Sequence, residues 1–115
     1  MVALVRISMP RRNRFVTLTT TIDSPAKAGK LARQIVRSRL AACVQSMPIR
    51  SVYWWKKSVE SAGEILLIAK TRASRAKALI GFIQERHPYE VPEIVVTPII
   101  GGSKDYLTWI EKETT

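Results

Sequence analysis

The chain has 115 residues, 46% of them hydrophobic, and its 19 Lys and Arg against 9 Asp and Glu give a formal net charge of +10. Size and balance fit one ordinary globular domain, and no run approaches the ~20 apolar residues that carry a helix across a bilayer. The lone cysteine, Cys43, excludes an internal disulfide and suits a reducing compartment, the cytoplasm.

Residues 1–14 hold four arginines and no acid. Their apolar run precedes the charges, the reverse of a secretory signal, and Met9 offers a second start. The segment reads as a basic, disordered tail ahead of a domain over 15–115. That domain is still basic, which makes nucleic acid the first polyanion to consider. The charges are spread along the chain without a nucleic-acid motif, so a solvated basic face is the expectation.

"FVTLTTTI" (15–22) is β-branched and ends at Asp-Ser-Pro, which marks a strand. Ser24 caps a helix that Pro25 opens. Ala28, Leu31, Ala32, Ile35 and Val36 form its apolar stripe, and it runs to about Leu40. "AACVQSM" (41–47) is a second strand, interrupted by Pro48, and 49–56 continues in extended form. Residues 57–64 carry turn chemistry. "EILLIAKT" (64–71) reads as a strand buried on both faces and the partner in an antiparallel hairpin.

Ser74 is the expected cap of a second helix, striped by Ala76, Leu79, Ile80 and Ile83 and stopped by His87-Pro88. "EIVVTPII" (93–100) is a last strand, and Pro98 points to a sheet edge or a bulge. After Gly101-Gly102, Ser103 is expected to cap a short C-terminal helix.

The order is β-α-β-β-α-β plus a terminal helix. It predicts an α+β, ferredoxin-like sandwich with two helices on one sheet face and nothing in the chain over the other. Adjacent side chains of a strand point to opposite faces, so Val52 and Trp54 share one face and Tyr53 and Trp55 the other. With helices available to only one set, the bare set is expected to be buried by oligomerisation.

Signals of catalysis are sparse. There is no GxSxG, no glycine-rich phosphate loop and no CxxC, so an enzyme is not expected. One cysteine and one histidine, far apart, fall short of a structural zinc site within one chain. The densest polar stretch is "ERHPYEVPE" (85–93). His87 and its carboxylates can bind a borderline cation or move a proton; His87 can equally extend the buried stripe and stop the helix. Cys43 reads as a small apolar strand residue whose ligand role would need a partner. Lys70 either snorkels to the sheet edge or pairs with an acid.

"SRLAACVQSMPIRSVYWWKKSVESAGEILLIAKT" and "HPYEVPEIVVTPIIGGSKDYLTWI" together resemble the CutA divalent-cation tolerance family, from about residue 15 to the end. The resemblance implies a ferredoxin-like subunit, a homotrimer with strands pairing between subunits, a cytoplasmic location and a part in the response to metal ions. It implies no obligatory cofactor, with copper or zinc as the candidate cations. Members share an inter-subunit cleft whose residues match Cys43, Tyr53, Trp55, Lys70, His87, Tyr89 and Glu90. The enterobacterial copper site uses a first-strand cysteine and two consecutive histidines; Thr20 and Arg86-His87 stand at those places here. His87 with Glu90 is therefore the expected cation pair. The trimer also resembles PII-type signalling proteins, which implies, as the alternative, a regulatory module for a partner protein or a small anion.

Overall fold

The computed structural model describes residues 6–8 and 13–115. Ile7–Ser8 (β1) pairs antiparallel with Gly102–Ser103 (β6), and the Lys104 N–H donates to the Arg6 carbonyl at 2.7 Å. The rest of the expected tail before Asn13 lies outside the described residues.

β2 (Phe15–Ile22) alternates, with Leu18, Thr20 and Ile22 turned toward the helices. α1 (Pro25–Arg37) starts as its sequence dictates: the Ser24 side chain accepts from the Lys27 N–H at 3.1 Å, and proline follows the cap. It stops three residues before Leu40. Arg39 takes φ 61°, the Leu40 N–H reaches the Ile35 carbonyl and the Arg39 N–H the Val36 carbonyl. That is a Schellman closure with arginine where glycine usually stands.

β3 (Cys43–Trp55) and β4 (Ser58–Arg72) differ from expectation in three ways. β3 runs straight through Pro48, opposite Ile65. The sheet order β3-β4-β2-β5 leaves β3 at an edge, where a missing ladder donor costs no partner. The turn is only Lys56-Lys57, with φ of 46° and 68°. Positive φ at both central residues is what a two-residue type I′ hairpin needs, and neither is the usual Asn or Gly. Last, β4 is not buried on both faces: Leu67, Ala69 and Thr71 are buried, while Leu66, Ile68 and Lys70 are half-buried.

Ser74 does not cap α2 (Ala76–Arg86). It lies within a 3-10 turn, Ala73–Arg75, and a backbone bond from the Ala76 N–H to the Ala73 carbonyl serves instead. α2 stops at His87 as expected. β5 (Ile94–Ile99) is the other sheet edge, which accommodates Pro98. Ser103 precedes α3 (Lys104–Glu113) without a side-chain cap bond.

Two cores result. Between the sheet and α1 and α2 lie Leu18, Ile22, Leu67 and Ala69 against Leu31, Ile35, Leu79 and Ile83. A smaller cluster joins Phe15, Ala42, Leu107 and Ile110. Phe15 points away from α1 and α2, so α3 covers one end of the face that was expected to have no cover. The rest of that face, including Thr17, Thr19, Ile68 and Val95, stays partly open.

The β3–β4 hairpin outruns the sheet. β2 pairs with β4 only from Ile65 to Arg72, so Ile49–Trp55 and Ser58–Glu64 form a two-stranded arm about 23 Å long at ~3.3 Å per residue. A globular chain of this length has a radius of gyration of about 13 Å; here it is 15.7 Å, with extents of 49 × 31 × 26 Å. Neither tryptophan meets the helices. Trp54 is 74% exposed, Trp55 37% and Val52 69%, because the arm carries both faces beyond either layer.

Candidate functional site

The seven expected cleft residues fall into two groups. Along β3, Cys43 and Tyr53 are separated by about 33 Å of extended strand.

The first group runs along the arm, from Glu64 at its base to Trp55 beside the turn. α2 ends at His87, and the extended backbone there turns the imidazole back onto β2. Its Nε2 lies 2.7 Å from the Thr21 carbonyl, and its Nδ1 accepts from the Tyr89 N–H at 3.2 Å. A carbonyl can only accept, so Nε2 carries the proton and Nδ1 presents the lone pair. The Tyr89 ring meets the imidazole edge-on at 4.7 Å, and its hydroxyl donates to Glu64 Oε2 at 2.8 Å. Burial, and then the Glu64 carboxylate, push the Tyr89 phenol well above its ordinary pKa. Tyr53, Trp55, Tyr89, Glu90 and Val91 line one hollow of about 240 Å³. Tyr53, Glu64, Tyr89 and Glu93 help to line a neighbouring one of about 360 Å³.

The second group sits at the other end of β3. Cys43 and Lys70 are Cα partners across the β3–β4 ladder. Cys43 Sγ lies 3.6 Å from the Tyr106 hydroxyl, and Lys70 Nζ stands 5.4 Å from the Tyr106 ring centre. Trp109 stacks on Tyr106 at 5.5 Å. Burial, and then the Cys43 thiol, push the Tyr106 phenol up to about 12. Lys70 thus meets an aromatic face, and no salt bridge joins it to a carboxylate among the described residues.

Thr20 joins neither group. Its hydroxyl is buried on the helix side of the sheet. Among the described residues no three His, Cys, Asp or Glu side chains converge as a metal cage, and no helix is long and apolar enough to cross a membrane. Sequence reading missed Tyr106 and Glu64. Glu64 had a signal, as a carboxylate opening an apolar strand; Tyr106 had none beyond an aromatic in a short amphipathic helix.

Comparison with known proteins adds independent information. A family model described as CutA1 divalent ion tolerance protein matches residues 16–113. The divalent-cation tolerance protein CutA of Pectobacterium atrosepticum is 38% identical over 96 residues, covering 83% of this chain and 87% of that protein. The chloroplastic protein CutA 1 of Oryza sativa subsp. japonica is 40% identical over 100 residues, 86% of this chain; the match spans only 56% of the rice protein. The solved CutA structure from Synechococcus elongatus superposes with a TM-score of 0.89 at 30% identity, covering 95% of this chain and 96% of that one. The periplasmic divalent cation tolerance protein CutA of Archaeoglobus fulgidus gives 0.86 at 32% identity, covering 88% and 99%.

Proposed function

This chain belongs to the family of CutA1 divalent ion tolerance proteins, and on that premise we propose that it is a non-catalytic homotrimer that binds a divalent cation weakly in clefts between its subunits. The observation that carries the reading is the pair of half-sites at opposite ends of β3. One subunit cannot close the distance between Tyr53 and Cys43, but the arm of one copy laid against the sheet end of another joins them. The bare arm supplies the apolar surface for that contact: Val52, Trp54 and Val59 are exposed on one side and Tyr53 and Trp55 are partly exposed on the other.

Within the cleft, His87 and Glu90 are the cation residues. A metal-bound histidine typically donates its second N–H to a carbonyl or carboxylate, which fixes the tautomer. The His87 Nε2–H bond to Thr21 does this and leaves Nδ1 as the ligand atom. The cation must displace the Tyr89 N–H from Nδ1, and among the described residues of one subunit no third such ligand converges with these two, so the affinity is low. Imidazole and carboxylate oxygen suit copper or zinc. The single thiol, Cys43, is placed in the reducing cytoplasm by the same reading.

Light scattering should give three times the 13.0 kDa subunit mass. Calorimetric titration of copper and of zinc should show binding that His87→Ala and Glu90→Gln each weaken. A monomer would remove the cleft, and isotherms unchanged in both variants would remove the cation site.

A further inference from the structure

A hollow of about 290 Å³ lies on the helix layer, on the far side of the sheet from Cys43 and Lys70. It is lined by Ile22, Leu31 and Pro88 with Lys27, Lys30, Gln34 and Arg86. Three cations and one amide surround an apolar floor, and no carboxylate lines it. α1 has no acidic residue in its first turn to offset these cations. Their neutralisation is slight. Lys27 pairs with Asp23 at 3.2 Å and Arg86 with Glu85 at 3.4 Å, all four side chains at least 39% exposed. Such exposed pairs are weak and yield readily to a better anion. Lys30 has no acidic partner among the described residues. The Arg86 guanidinium stacks over the Phe82 ring, 3.6 Å from its centre, and Nη1 donates to the Phe82 carbonyl at 3.2 Å. That fixes its plane and makes it a pre-oriented fork for phosphate oxygens.

We propose that this hollow between α1 and the end of α2 is a binding site for a small phosphate-bearing molecule, with Lys27, Lys30 and Arg86 on the phosphate and the Ile22–Leu31–Pro88 floor under its less polar part. The hollow shares no lining residue with the two hollows beside Tyr53 and Tyr89, and the inference does not depend on cation binding there.

The test is calorimetric titration of the full-length protein with inorganic pyrophosphate. Three proteins are compared: wild type, a site variant carrying Lys30→Met with Arg86→Met, and a control carrying Arg33→Met with Arg37→Met farther along α1. Both double variants lose the same charge and keep apolar stems, and light scattering with circular dichroism checks that they keep the wild-type state. Loss of two charge-assisted contacts should weaken pyrophosphate binding about tenfold or more in the Lys30/Arg86 variant. The Arg33/Arg37 variant should stay within about twofold of wild type, as expected for screened charges at a distance. Equal weakening in both variants, or a short RNA displacing pyrophosphate from both alike, would mean a diffuse basic face and overturn the site. Failure of wild type to bind millimolar pyrophosphate would overturn it as well.

Discussion

Trp54→Ala isolates what the arm would contribute to the proposed assembly. A whole tryptophan presents up to about 250 Å², and Trp54 is 74% exposed in the subunit, so roughly 185 Å² is available for cover. At about 25 cal/mol per Å² full cover stabilises the assembly by roughly 4–5 kcal/mol. Alanine retains a fraction of that contact, which leaves a loss of about 3 kcal/mol per subunit, or roughly a hundredfold in an association constant. Trp54 stands opposite Val59 near the arm tip, beyond the last residue of β4 paired with β2. Its removal therefore leaves both cores intact. Sedimentation velocity over a dilution series should show the variant dissociating at concentrations where wild type stays assembled, with an unchanged far-ultraviolet circular dichroism spectrum. Trp55→Ala, starting from 37% exposure, should lose about half as much. Equal dissociation of Trp54→Ala and wild type would refute the reasoning, since the largest bare ring on the molecule would then lie outside the interface.

Two further outcomes concern stability. His87→Ala removes the bonds to the Thr21 carbonyl and the Tyr89 N–H and an edge-on ring contact; at about 1 kcal/mol per bond plus ~0.5–1 for the rings, a loss of about 2–3 kcal/mol is expected in urea unfolding. A loss well under 1 kcal/mol would show that those bonds do not anchor the end of α2 to β2. Raised phenol pKa values predict alkaline destabilisation. An unfolded tyrosine ionises near pH 10, whereas Tyr106 holds its proton to about 12 and Tyr89 is shifted in the same direction. The folded state then binds more protons, so stability falls as pH rises from about 10 through the folded values. Urea midpoints measured upward from neutral pH should show the decline, and Tyr106→Phe should flatten it; a slope unchanged by that variant would count against the Tyr106 contribution.

Periodicity made the helices legible, and composition the strands. Ser24-Pro25 marked the start of α1, and Pro98 marked an edge, because both signals act within a few residues. Pro48 misled by the same rule that served for Pro98: whether a strand is an edge depends on its neighbours, which local sequence does not show. The hairpin turn was displaced because Lys56-Lys57 adopts positive φ without glycine or asparagine. The cover that α3 gives to the far face of the sheet was missed because a short amphipathic helix does not say which surface it will meet. At the site, His87 and Tyr89 were flagged as polar neighbours at a helix stop. The partner that fixes the imidazole is the main-chain carbonyl of Thr21, which no side-chain pattern reports.

The arm also sets a race. A newly folded subunit exposes two sheet edges, β3 and β5, and β3 is 13 residues long with apolar rings on its flanks. Open edges of this kind capture other strands indiscriminately. The tip answers with two lysines, held in a backbone conformation that side chains resist. Tip-to-tip encounters between copies are repelled, whereas a sideways approach to the arm meets Arg50 and Glu60, exposed charges of opposite sign. For the proposed trimer, the yield of assembly is then a matter of kinetic partitioning. Dilute subunits lose time to stray pairing, while a burst of synthesis that delivers copies together favours the correct contact.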